Sequence, residues 1–280
     1  MLAAMKLPRL KTILLAPIYL FAAFYLLLAI ANIFDNEMAP EASAGIAPVS
    51  EIAIFGASGT AGDGILKAAL ADPDIKRIHV ITRRSTPRID DGVAAGKVEM
   101  TKHMDYLDYE AVLAQLTDVE AVFWALGTSS IGMDEEKYGM IHVDFPAAFV
   151  QQWLPVTGGR DVAFQYISSS DISEDSSAMW AREKVRAEKT LFELADSTNL
   201  TVVAWRPDYI GPTEEEAHLG QDMLYWFFAP VRAAVRAQQI GESMLEVTAR
   251  GAQFETGDKL STGAIIRYSD AYRRRRDGVN

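Results

Sequence analysis

The sequence predicts an α/β protein: a doubly wound parallel sheet preceded by one N-terminal transmembrane helix. Three observations carry this expectation. From Glu51 onward, short apolar runs alternate with helical patterns, which implies parallel pairing with right-handed crossovers. The runs are nearly continuously apolar, as strands covered on both faces are. Residues 12–34 contain no charged side chain.

Composition excludes several classes. The 280 residues are 49% hydrophobic and 23% charged, so the chain as a whole is not disordered. There is no cysteine, which excludes a disulfide framework, a thiolate metal site and a Cys nucleophile. His79, His103, His142 and His218 show no metal-ligand spacing, so no metal is expected. A net charge of −11 argues against nucleic acid as a partner.

The elements follow in order. Residues 1–11 carry Lys6, Arg9 and Lys11 without an acid, and the 23 residues of 12–34 follow. As a helix that stretch reaches about 34 Å, enough to cross a hydrocarbon core. It reads as a retained single-pass anchor with the lipid bilayer as partner. A cleavable signal peptide is the other reading, with small-residue sites at Ala29-Ile30-Ala31 and Ala42-Ser43-Ala44. Length favours the anchor. Residues 35–50 are an Ala/Pro/Ser-rich linker, and 51–268 form the main domain. Strands are expected at 52–55, 77–82, 97–100, 120–126, 162–168 and 200–205, with helices near 61–71, 107–116, 138–154 and 177–197. Arg273 to Arg276 close the chain as a basic tail over 269–280, solvated or touching anionic lipid.

The first strand runs directly into Gly56-Ala57-Ser58-Gly59-Thr60-Ala61-Gly62, a GxxGxxG spacing. Gly56 permits a tight turn, Gly59 lets a pyrophosphate approach the backbone, and Gly62 lets the next helix pack on the sheet. Free N–H groups at the helix start then meet the phosphate. This context, strand then turn then helix, is what a dinucleotide site requires. The second strand ends Ile81-Thr82-Arg83-Arg84-Ser85, with no carboxylate for a ribose hydroxyl. Two guanidiniums suit a 2′-phosphate, so NADP(H) is expected over NAD. Asp105, just past the third strand, is placed to reach the adenine amino group or to cap the next helix.

These segments, with ALGTS at 125–129, YISSS at 166–170 and WRPDYIG at 205–211, resemble the atypical short-chain dehydrogenase/reductases. The chain is most similar to their NAD(P)H-binding, Tat-interacting-protein-like branch, over roughly 51–268. The resemblance implies a Rossmann-type domain and NADP(H) bound by Gly56, Ser58, Gly59, Thr60, Ala61, Gly62, Arg83, Arg84, Asp105, Leu126, Gly127, Thr128, Lys184 and Pro207. It also implies a small substrate-facing segment at about 212–268. The family's chemistry needs a serine at a strand end and a Tyr-x-x-x-Lys helix. Ser168 and Ser169 stand in the serine region and Lys184 in the lysine position, but Trp180 occupies the place of the tyrosine. An indole N–H donates a hydrogen bond but no proton at accessible pH. Tyr209, His142 and Tyr166 are the candidate replacement acids.

Two functions remain open on these residues. One is a membrane-anchored NADP-dependent oxidoreductase on an apolar carbonyl or alcohol, with Ser168, Ser169, Lys184 and Tyr209 in the catalytic set. The other is a non-catalytic NADP(H)-binding redox sensor or scaffold subunit with a protein partner in the membrane. Epimerase chemistry on the same cofactor is a weaker third. No Lys or Arg follows the anchor until Lys67, so the positive-inside rule places the domain across the membrane from the N-terminus. The phosphate loop argues for the cytoplasmic side, and that placement is the one expected.

Overall fold

The structure is a computed structural model that describes residues 10–34, 37–42 and 45–278. Along the chain come α1 (Leu10–Phe34), β1 (Glu51–Phe55), α2 (Thr60–Ala71), β2 (Arg77–Thr82), α3 (Pro87–Ala94) and β3 (Val98–Lys102). Next are α4 (Glu110–Leu113), β4 (Ala121–Trp124), α5 (Glu135–Gly139), α6 (Phe145–Trp153), β5 (Val162–Ile167) and α7 (Met179–Ala195). The chain ends with β6 (Leu200–Arg206), β7 (Tyr209–Gly211), α8 (Leu219–Phe228), β8 (Ala234–Arg236), α9 (Ala237–Ala249), β9 (Lys259–Ser261) and α10 (Thr262–Asp277).

Alternation along β1 sets the two faces of the sheet. Ile52 and Ile54 enter one core, with α2, α9 and α10. Ala53 and Phe55 enter the other, with Tyr109, Phe149, Trp153 and Leu191. All four β1 residues are fully buried, which is why the strand reads as continuously apolar. The strand order is β3-β2-β1-β4-β5-β6-β9, every neighbour parallel. The order reverses between β1 and β4, so a crevice opens at their C-terminal ends, where ligands bind in such sheets. The doubly wound, Rossmann-like sheet is therefore as expected. The six expected strands all form, within a few residues of their expected ends.

Three parts of the chain differ from expectation. Helix α3 is capped by Thr86, whose side chain accepts from the Ile89 amide, with Pro87 in the first turn. Helix α9 is buried along almost its whole length between α2 and α10. It belongs to the core layer beneath the sheet, while β9 adds an edge strand beside β6. Close approach is possible because Gly64 meets Ala237, and Gly241 meets Ile65; a methyl group on Gly241 would stand 2.7 Å from the Ile65 Cα. The basic run is also not a free tail. Residues 269–277 are helical, and Arg273 pairs with Glu242 and Arg275 with Glu246, each at 2.8 Å.

The membrane expectation is corrected. Among the described residues, no helix is long and apolar enough to cross a membrane. Helix α1 packs on the C-terminal part of the chain. Tyr25 stacks on Phe227 at 5.3 Å, and its hydroxyl donates to the Phe227 carbonyl at 2.7 Å. Asn32 donates to the Pro230 carbonyl at 3.2 Å. The basic residues Lys6 and Arg9, and Ser43-Ala44 of the second small-residue site, lie outside the described residues.

Candidate active site

The crevice at the β1–β4 switch holds a cleft of about 540 Å³. Gly56, Ser58, Gly59, Arg83, Arg84, Leu126 and Gly127, all expected from the sequence, line it together with Thr82, Tyr106 and Ala125. The glycine turn is built as the sequence demands. Gly56 has φ +82°, and a Cβ there would lie 2.6 Å from the backbone of Ala125 and Leu126. Gly62 is pressed against the Gly56–Ala57 backbone with no room for a methyl group. Gly59 caps α2 without a side chain, in extended geometry. The first amides of α2, from Thr60 and Ala61 to Gly62, thus have no intrahelical acceptor and no capping side chain. That is the arrangement that takes a pyrophosphate. Thr60 lines a second depression of about 320 Å³ that shares Ser58, Gly59 and Arg84 with the first.

The two arginines are exposed and point to different parts of the cleft. Arg84 reaches the Ser58 carbonyl at 3.5 Å, over the phosphate loop. The charge of Arg83 acts on the Tyr106 phenol, whose pKa burial nonetheless raises. The hydroxyls of Thr82 and Ser85 are used locally, on the Arg84 carbonyl and the Asp90 carboxylate. Asp105 is not brought into the cleft. Its carboxylate accepts from the Leu107 amide at 3.0 Å in a local turn, and the next residue, Tyr106, forms the wall instead. The sequence signal for Tyr106 was an aromatic just past the third strand.

On the far side of the switch lies the proposed reacting end. Ser168, 5% exposed, follows β5, and its amide donates to the Trp205 carbonyl at 2.7 Å. Its hydroxyl has no partner among the described residues. Lys184, 7% exposed, points from α7 to the same strand end. Its Nζ donates to the Ile167 carbonyl at 2.9 Å and to the Tyr166 hydroxyl at 3.3 Å. Burial pushes its pKa down to about 7, against a pull upward from Glu188. The Ser170 amide donates to the carbonyl of Pro207, which fixes that buried proline beside the serine loop, while Ser169 is half-buried.

The replacement acids separate cleanly. Tyr166 is buried, its hydroxyl donates to the His142 carbonyl at 3.2 Å, and burial holds its pKa well above the ordinary value. His142 sits in a π-helical turn, Met140–Asp144, a feature frequent at functional sites. Its Nε2 lies 3.3 Å from both the amide and the carbonyl of Thr128, and its ring fills the space beside Gly127. Burial, helped by the Lys184 charge, pushes its pKa down to about 3. His142 is therefore a neutral prop for the Gly127-Thr128 loop. Tyr209 is drawn toward α8, with its hydroxyl 3.5 Å from the Gln221 carbonyl and its ring 6.2 Å from Phe228.

These features fit a nicotinamide dinucleotide. The amide cradle and guanidiniums match its phosphates. Two buried polar atoms nearby in the fold, Ser168 Oγ at the end of β5 and His142 Nδ1 beside the Gly127-Thr128 loop, have no partner among the described residues.

No family model matches the chain. Over 174 residues it is 28% identical to "Protein fmp52-1, mitochondrial" of Aspergillus terreus, covering 60% of this chain and 70% of that protein. Over 185 residues it is 25% identical to "Protein fmp52, mitochondrial" of Emericella nidulans, covering 64% and 75%. Both relatives are named as mitochondrial proteins. Among solved structures it is similar to the short-chain dehydrogenase/reductase YIR035C of Saccharomyces cerevisiae, with TM-score 0.60, 14% identity, and 79% and 99% of the two chains covered. It is equally similar to 3-oxoacyl-[acyl-carrier protein] reductase of Brucella melitensis in complex with NAD, with TM-score 0.60, 14% identity, and coverage of 78% and 97%. A third is KRED1-Pglu, with TM-score 0.59, 13% identity, and coverage of 76% and 100%. The chain has the Rossmann-like fold that these short-chain dehydrogenase/reductase-type structures share.

Proposed function

We propose that this protein is an NADP(H)-dependent oxidoreductase acting on an apolar carbonyl or alcohol. The observation that carries the reading is the cleft itself, where the glycine cradle and the exposed Arg83 and Arg84 line one space at the β1–β4 switch. The buried Ser168 and Lys184 stand at the end of β5, the strand next to β4. A structural glycine turn alone accounts for neither the exposed guanidiniums nor the orphaned Ser168 hydroxyl.

The chain's own residues divide the work. The α2 amides hold the pyrophosphate oxygens, and the Arg pair, with no acid among residues 81–85 at the β2 end, favours a 2′-phosphate held by Arg84. His142 holds the Gly127-Thr128 loop, and Lys184 donates toward a ribose or a substrate oxygen at the β5 end. Ser168 Oγ is free to donate to a carbonyl oxygen and orient it. A bound reduced nicotinamide supplies the hydride.

Trp180 favours the second reading, a non-catalytic NADP(H)-binding sensor, because it removes the tyrosine of the resembled motif. Nicotinamide fluorescence with the full chain tests the cofactor half of both readings: NADPH is expected to bind tighter than NADH, with the difference lost on replacing Arg83 and Arg84. NADPH consumption with an apolar carbonyl decides between them. Binding of neither nucleotide would overturn both.

A further inference from the structure

We propose that Lys184 itself is the proton donor and acceptor of the reaction, taking directly the part that Trp180 cannot perform. The inference rests on the oxidoreductase reading above and specifies how its site exchanges a proton.

The argument begins with elimination by geometry. The Tyr166 hydroxyl is spent on the His142 carbonyl deep in the core. The His142 ring props the Thr128 backbone, and the Tyr209 hydroxyl turns to Gln221. The Ser168 hydroxyl is free but is no acid near neutral pH. Lys184 remains. Its Nζ lies 2.9 Å from the carbonyl of the peptide group that joins Ile167 to Ser168. It therefore stands at the strand end that carries Ser168, whose buried hydroxyl lacks a partner among the described residues. Two of its three protons are engaged, by Ile167 and Tyr166, and the third has no acceptor among the described residues.

The surroundings of the ammonium are mixed but weakly charged. On its own helix, Glu188 lies one turn on, and its carboxylate is taken up by Arg206 at 2.9 Å. From β5 comes neutral Tyr166, 4.9 Å from Nζ to ring centroid. From the π-helical turn comes neutral His142, and from α5 comes Tyr138, whose ring packs on His142 at 4.1 Å. No unpaired carboxylate among these holds the lysine in its charged form. Desolvation therefore dominates and leaves a lysine able to give up a proton near neutrality.

The step balances without another reactant. In reduction, the substrate carbonyl carbon gains the hydride that the reduced nicotinamide supplies. The C=O π electrons pass to oxygen, and that oxygen takes the third proton of Lys184 Nζ. The products are an alcohol, oxidised nicotinamide and neutral Lys184, which regains a proton from solvent. Oxidation runs the same path in reverse, with neutral Lys184 as the base.

Two measurements on the full chain test this. The first needs no cofactor: lysine labelled with 13C at Cε is titrated by NMR, and the Lys184 signal is identified by its absence in Lys184→Arg. A midpoint near pH 7 is expected; a Lys184 still charged at pH 10 overturns the proposal. The second follows NADPH oxidation with 9,10-phenanthrenequinone, an apolar diketone. We expect kcat/KM to fall tenfold per pH unit above about pH 7. Lys184→Arg should lose about 100-fold or more in turnover while still binding NADPH. Trp180→Tyr should carry activity to higher pH. Turnover retained in Lys184→Arg overturns the lysine role alone and leaves the oxidoreductase reading standing. Turnover only in Trp180→Tyr, with none in the natural chain, overturns both and favours the non-catalytic NADP(H)-binding reading. If neither the natural chain nor Trp180→Tyr oxidises NADPH, the oxidoreductase reading fails and this inference with it.

Discussion

Gly62 lies so close to the carbonyl of Gly56 that no side chain fits between them, whereas a methyl on Gly59 would meet the same carbonyl oxygen at an ordinary 3.4 Å. The two glycines of one motif thus answer to different constraints. Gly62 serves the packing of α2 on the β1 turn, and Gly59 keeps space for a ligand. Gly62→Ala is expected to destabilise the fold by about 1–3 kcal/mol, as overpacking does. Gly59→Ala should unfold close to the natural chain but lose nucleotide affinity. Thermal melts and NADPH fluorescence on both variants check this. An unstable Gly59→Ala would show that the loop was shaped by packing rather than by phosphate.

Arg83 and Arg84 are adjacent in sequence but address different neighbours, Tyr106 and the Ser58 carbonyl. A charge-assisted hydrogen bond contributes about 1.5–3 kcal/mol, so Arg84→Ala should weaken NADPH binding about 10- to 100-fold. Under the proposed NADP(H) site, NADH affinity should change little, because NADH lacks the 2′-phosphate that Arg84 is assigned to hold. Arg83→Ala, beside the tyrosine wall, should weaken both nucleotides. Equal losses for NADPH and NADH in Arg84→Ala would count against the phosphate assignment.

What the sequence shows depends on how local the cause is. The glycine turn, the arginine pair and the buried strands were legible because each rests on residues a few positions apart. Helix α3 also carries a local signal, the Thr86-Pro87 cap. Helix α9 was not legible. Its Glu242 and Glu246 look like solvent-facing residues, yet both are buried, with partners 27 and 29 residues away at Ser269 and Arg275. The apolar run at 12–34 suggested a span because periodicity does not reveal that Tyr25 and Asn32 find partners some 200 residues away. Likewise Asp105 looked like an adenine ligand until the backbone turn claimed its carboxylate.

His142 links the cofactor loop to acid stability. Burial and the Lys184 charge push its pKa from 6.5 down to about 3. The unfolded chain then accepts a proton that the folded chain refuses. Its contribution to stability is full above pH 6.5 and is lost as pH falls toward 3. One group can give a slope of up to about 1.4 kcal/mol per pH unit within that window. Denaturant unfolding at pH 7.0, 5.5 and 4.5 should show a shallower fall for His142→Gln than for the natural chain. Parallel falls would mean that other groups govern the acid limb.

Arg276 tests whether the C-terminal basic run is part of the fold. It pairs with Asp72, which is 2% exposed, and lies 2.8 Å from Asp74. The Tyr272 hydroxyl donates to the second Asp72 oxygen at 3.1 Å, and burial beside that carboxylate drives the phenol's pKa upward. Removing the guanidinium leaves a buried carboxylate with neutral donors only, including the Asp74 amide at 2.8 Å. Stranding a buried charge costs about 3–5 kcal/mol, and partial exposure of Arg276 places the expected cost at the lower end. Arg276→Ala should therefore lower Tm by about 6–12 °C. Arg276→Lys, which keeps the charge without the fork, should recover part of the loss. A solvated tail predicts a change within about 0.5 kcal/mol for either variant. A flat result would detach α10 from the α2 end and remove the support argued here for α9, which is held between them.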